Sequence, residues 1–205
     1  MPPIFGMRAR ERSEESALHR FVWAIKGKVT RRLRPRTMAR ADAMTRAAEE
    51  QEQILRDLSG EQLEQRIAEL RQRLVPGRRP ARPSGADMAL LREVGRRTLG
   101  LRAHDVQLIG AAVVTSGRVA EMATGEGKTL VAGLAAAWQA LGGTLVHVVT
   151  VNDYLAARDA ETLGPFYAAL GLRVGVVTGD TSPDQRHAAY RCPICYCTNT
   201  ELAFD

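Results

Sequence analysis

Lysine is nearly absent from this chain. Of its 29 fixed positive charges only Lys26, Lys28 and Lys128 are lysines, and all the others are arginines. Cysteine is equally scarce, with three residues gathered as Cys192, Cys195 and Cys197 in RCPICYC. So few thiols, with nothing pointing to secretion, argue against a disulfide-stapled scaffold. The CPIC run has zinc-knuckle spacing, but no second ligand pair follows it, and His187 is the only nearby candidate for a fourth ligand, at an unusual spacing. The same run also reads as a buried strand carrying small apolar thiols. Internal repeats are missing, which argues against a solenoid. A signal peptide is not expected, because the apolar run at 21–25 is short and sits among charges. Residues 129–152 carry no formal charge and are long enough to cross a bilayer. Gly142 and Gly143 split them, however, into an Ala/Leu-rich half and a β-branched half. The reading is a buried helix, a turn and a buried strand of a soluble chain.

What is present suits one sizeable core with a small appendage. The chain has 205 residues, 45% of them hydrophobic and 25% charged. Its net charge of +6 is uneven: residues 1–40 hold eleven Arg/Lys against three Asp/Glu, 41–86 hold eight of each, and 87–205 hold ten against twelve. The basic excess therefore lies in an N-terminal arm, 1–36, expected to be largely disordered and suited to an anionic membrane surface or to nucleic acid. A helical extension is expected over 37–75. Within it Ser59 and Gln62 form a capping box, and Leu63, Ile67, Leu70 and Leu74 make one apolar stripe. A Pro/Gly/Arg linker over 76–86 then precedes a region, 87–205, of alternating elements.

In that region the periodicity predicts helices over 87–99, with Gly100 as the stop, and over 105–115. A strand over 118–123 then leads into a glycine loop, and a helix runs from 128 to 141. There follow a strand over 144–151, a helix over 153–170 started by Asn152, and a strand over 173–178. A helix opened by Ser182, Pro183 and Gln185 and a strand over 194–198 complete the series. Strands separated by single helices imply an α/β fold, a parallel sheet flanked by helices.

The lone lysine of this region lies in MATGEGKTLVAG. Gly125 and Gly127 permit backbone conformations in which successive N–H groups turn inward around an anion. Lys128 suits the β- and γ-phosphates of a nucleotide, and the Thr129 hydroxyl suits Mg²⁺. In the long phosphate-loop pattern the first glycine falls on Met122, so the match is to the shorter helicase-type form over 124–129. Gln107, about twenty residues upstream, carries the donor and acceptor that adenine's N6 and N7 edge requires.

The blocks RTLGLRAHDVQLIGA, EMATGEGKTLVAG, HVVTVNDYLAARDAETLGPFYAALGL and TNTELAFD, in this order and spacing, resemble the N-terminal part of the SecA family of protein-translocase motor ATPases. The Ala-rich helix behind the loop is closer to the accessory, actinobacterial type. The resemblance implies a P-loop NTPase fold, RecA-like and helicase-type, here incomplete. It implies ATP and Mg²⁺ as cofactors, and ATP-driven export of preproteins through the SecYEG channel from the cytoplasmic face of the cell membrane. The nucleotide contacts carry over to Gln107, Gly125, Glu126 (through its backbone), Gly127, Lys128 and Thr129, with Lys128 and Thr129 in the catalytic role and Thr129 on the metal. Arg158 is expected on the nucleotide side of the sheet. The resemblance extends to no nucleic-acid partner.

An Asp-Glu pair of the kind that holds Mg²⁺ and activates water occurs nowhere in the sequence. The chain is therefore expected to be a truncated motor, inactive or nearly so alone. Two other readings stay open from the residues: a fragment of a nucleic-acid helicase, and a non-catalytic module docking through residues 1–40.

Overall fold

The computed structural model describes residues 39–74 and 80–205. The chain divides into two units, Met1–Ala41 and Asp42–Asp205, and of the first only residues 39–41, all helical, are described. The basic arm over 1–36 and the stretch 75–79 of the linker lie outside the described residues.

The larger unit opens with α1 (residues 42–56). Ser59 then caps α2 (Gly60–Arg73): its hydroxyl accepts from Gln62 N at 3.2 Å, and Gln62 Oε1 accepts from Ser59 N at 2.8 Å. The stripe lies where its period places it, with Leu63, Ile67 and Leu70 buried. α3 (Gly85–Leu99) starts two residues earlier than its apolar periodicity suggested. Ser84 and Asp87 form a capping box inside what reads as linker, the Ser84 hydroxyl accepting from Asp87 N and Asp87 Oδ2 accepting from Ser84 N. Gly85 is needed there because a Cβ would lie 2.5 Å from Ala47 Cβ and 2.6 Å from the Met44 carbonyl.

An ion network joins these helices. Glu52 of α1 accepts from Arg102 through both oxygens at 2.6 Å each, from Arg56 at 2.6 Å and from Arg92 at 3.1 Å. Arg92 is 2% exposed and also pairs with Asp105 at the start of α4 (Asp105–Thr115). Arg97 closes the end of α1 by donating to the Leu55 and Leu58 carbonyls.

Beyond α4 come α5 (Lys128–Leu141), β1 (Val146–Thr150), α6 (Asp153–Ala169), β2 (Val174–Val176), α7 (Pro183–Tyr190), β3 (Ile194–Thr198) and α8 (Asn199–Phe204). The strands form one parallel sheet in the order β1-β3-β2, with Val146 and Val174 both level with Ile194. As the central strand, β3 is buried at all five positions. Ile194 and Tyr196 face the main core, where Tyr196 meets Tyr167 of α6 hydroxyl to hydroxyl at 2.8 Å. Cys195 and Cys197 face the opposite side, against Val177 and Ala189. Of the readings open for the cysteines, the buried strand is the one the fold builds: all three thiols are free, and burial pushes Cys195 up to about 12. Among the described residues no group of three metal-ligating side chains is placed to hold an ion.

The uncharged run divides as its glycines indicated, α5 ending at Leu141 and β1 beginning at Val146, but the strand expected to be buried lies at the sheet edge and is exposed at His147 and Val149. Among the described residues no helix is long and apolar enough to cross a membrane.

The strand expected over 118–123 does not form. A strand exists only with a ladder partner, and among the described residues none of the three strands pairs with this segment. Val119 is 94% exposed as a result. The last helix, α8, was not visible as periodicity in six residues, although Thr198 caps it by accepting from Glu201 N.

Candidate functional site

Residues 124–126 form a turn rather than helix, and α5 begins directly after Gly127. Gly125 and Gly127 take φ of +87° and +79°, which any residue with a Cβ resists. Gly127 occupies the N-cap position of α5, and no side chain caps that end. The positive end of a 14-residue helix therefore opens at an exposed loop, with Lys128 exposed at its first position. Around Gly125 there is open space, since an added Cβ would meet nothing within 4 Å.

The loop is also cross-braced. Lys128 Nζ donates to the Ala123 carbonyl at 2.8 Å, and Ala123 N donates to Glu126 Oε2 at 3.2 Å. Glu126 N reaches the same Ala123 carbonyl at 3.4 Å.

Gln107 is 7% exposed and brought onto this loop from α4. Its Oε1 accepts from His104 N at 2.8 Å, and its Nε2 donates to the Glu126 carbonyl at 2.9 Å. One amide thus serves both the start of α4 and the glycine loop, and both backbone groups of Glu126 are engaged here. The fit at Gly127 is tight: a Cβ there would stand 2.3 Å from Gln107 Nε2. Replacing Gly127 with alanine is accordingly expected to cost about 1–2 kcal/mol from the left-handed backbone alone, and to break the Gln107–Glu126 bond. Thermal unfolding, with an adenine-nucleotide titration beside it, checks both effects.

Asp159 of α6 is a neighbour the sequence did not single out. Its Oδ2 accepts from the Thr129 hydroxyl at 3.4 Å, and its Oδ1 accepts from Arg158 Nε at 3.0 Å and Nη2 at 2.6 Å. Arg158 also stands 5.8 Å from the centre of the Tyr154 ring. The structure therefore brings Gln107, Gly125, Glu126, Gly127, Lys128 and Thr129 into one surface region. It places Arg158 at that region's border through Asp159. An acid beside an arginine in LAARD carries no period or spacing that marks it, so only the fold could find it.

Residues 26–205 match the SecA DEAD-like domain family. The chain belongs to that family. The protein translocase subunit SecA of Clostridium kluyveri is 52% identical over 148 residues, 72% of this chain and 18% of the relative. The protein of the same name from Francisella tularensis subsp. novicida is 52% identical over 148 residues, 72% of this chain and 16% of the relative. That of Trichormus variabilis is 48% identical over 154 residues, 75% of this chain and 17% of the relative. The chain thus spans less than a fifth of the length of these SecA relatives. A three-stranded parallel sheet with helices on both faces agrees with the helicase-type α/β architecture read from the sequence of this SecA-family chain.

Proposed function

We propose that this chain is the ATP-binding part of a SecA-type motor. In a protein as long as its relatives, it would couple ATP hydrolysis to the export of preproteins through the SecYEG channel. One observation carries the reading: an uncapped helix N-terminus follows two left-handed glycines and begins with an exposed lysine. An anion bound there receives converging main-chain N–H groups and the positive helix end together.

In this reading the amides of 125–129 hold the phosphates, Lys128 neutralises charge on the β- and γ-phosphates, and Gln107 reads adenine; the Glu126 amide and the Lys128 ammonium both turn from the Ala123 carbonyl to the phosphates. Both Gln107 amide atoms already have one partner, so its second N–H and its second lone pair are what remain for the base. A Mg²⁺ ion fits at Thr129, whose hydroxyl is a hard oxygen donor of the kind that ion takes. Bound Mg²⁺–ATP supplies a γ-phosphoryl group for transfer to water. Transfer also needs an acidic pair that these 205 residues do not contain, so turnover by this chain alone is expected to be negligible. The protein works on the cytoplasmic side, peripheral to the membrane, with the basic residues 1–36 available to an anionic surface, the helical extension at 37–75 behind them and the nucleotide-binding part over 87–205.

The test is equilibrium binding of a fluorescent ADP analogue to the purified chain with Mg²⁺. Saturable binding displaced by ATP and ADP is expected, with preference over GTP reduced by Gln107→Ala. Absence of saturable binding would overturn the reading.

A further inference from the structure

Asp159 stands between the phosphate loop and the buried interior. Its side chain is 13% exposed. Thr129 approaches one oxygen and Arg158 the other. Behind it lie the paired hydroxyls of Tyr167 and Tyr196. Burial raises the pKa of both phenols, and the Asp159 charge adds to that effect, so the carboxylate's field reaches them. Neither the motif nor the phosphate contacts give this acid a role.

A hydroxyl that ligates a divalent cation gives up a lone pair to the metal. Its polarised proton then needs an acceptor on the protein side. At Thr129 the acceptor in reach is Asp159 Oδ2, 3.4 Å away. Arg158, held through two nitrogens on Oδ1, restrains the carboxylate's rotation and partly offsets its charge.

We propose that Asp159 is a positioning residue for the metal-binding hydroxyl: it accepts the hydrogen bond of Thr129 so that the oxygen's lone pairs face a Mg²⁺ ion at the phosphate loop, while Arg158 fixes its orientation. The proposal rests on the nucleotide-binding reading above and adds the residue that sets its metal dependence. Asparagine cannot replace the acid. Its carbonyl would accept from Thr129 only by turning its NH₂ toward the Arg158 guanidinium, donor against donor. Turned the other way, its NH₂ would consume the Thr129 lone pair.

The experiment measures affinity of the 205-residue chain for fluorescent ADP in Mg²⁺ and in EDTA, and reads the ratio. Asp159→Asn is expected to cut the Mg²⁺-dependent gain about tenfold while leaving affinity in EDTA unchanged within about twofold. Asp159→Glu, which keeps the charge and the acceptor, is expected to recover part of the gain. Thr129→Val should remove the gain, and adding Asp159→Asn to it should change nothing further. Where Asp159→Asn does not fold, Arg158→Gln/Asp159→Asn removes the ion pair as a unit and carries the same readout. An unchanged Mg²⁺ gain in the folded variant, or a further loss in the Thr129→Val background, overturns the proposal. Binding that is absent in wild type under both conditions overturns the nucleotide reading along with it; binding with an unaltered ratio sinks only the role of Asp159.

Discussion

Replacing Lys128 with alanine is expected to weaken ATP and ADP binding by about 100-fold, the size of one strong charge-assisted hydrogen bond to a phosphate. The fold should barely notice. Lys128 is exposed, and its single bond goes to the Ala123 carbonyl of its own loop. A stability change within about 0.5 kcal/mol is therefore expected. The split between a large binding loss and an unmoved melting temperature is the informative outcome. Arginine at the same position should not rescue, because a planar fork on a longer stem does not place a compact point charge on a single phosphate oxygen as an ammonium does. Retained affinity in Lys128→Ala would move the phosphate site away from the start of α5.

The second large effect lies in the ion network that joins α1 and α3 to the start of α4. Glu52→Gln is expected to destabilise the unit by about 2–3 kcal/mol, because it leaves Arg92, which is almost fully buried, with Asp105 as its remaining carboxylate. Arg92→Met should cost less, since Glu52 keeps Arg102 and Arg56, and Asp105 is exposed enough to rehydrate. The order of these two variants separates a charge network from simple packing. Hydrogen bonding to Arg102, with the charges of Arg102, Arg56 and Arg92 beside it, outweighs burial and holds the Glu52 carboxyl down at about 2, against a usual 4.5. A folded pKa below the unfolded one means stability that is present above pH 4.5 and is lost as the pH falls from there toward 2. The gap between wild type and Glu52→Gln in urea unfolding should narrow across that window. A gap that stays constant down to pH 2 would show that the stabilisation does not depend on ionisation of Glu52.

The elements legible in the sequence were those whose cause is local. Ser59 with Gln62, Asn152, and Ser182 with Gln185 each announce a helix start through contacts three residues apart, and α2, α6 and α7 begin there. The same grammar was present at Ser84 and Thr198, but Pro and Arg around the first and the brevity of α8 hid it. The glycine turn before α5 was readable for a similar reason. The backbone freedom of Gly125 and Gly127 and the charge of Lys128 are properties of those residues themselves, whatever surrounds them.

By itself, then, the order of residues determined where α2, α6 and α7 start, that the sheet is parallel, and that a glycine turn precedes α5. Those depend on chain stiffness, capping and hydrophobic period, which act over a few neighbours. Only the tertiary structure decided that 118–123 has no ladder to join, that Cys195 and Cys197 line a buried face, that Gln107 braces the Glu126 carbonyl, and that Asp159 stands under Thr129. Each of these is a meeting of groups from separate elements. Such meetings are set by how the helices pack on the sheet, a property that no local stretch of the chain carries.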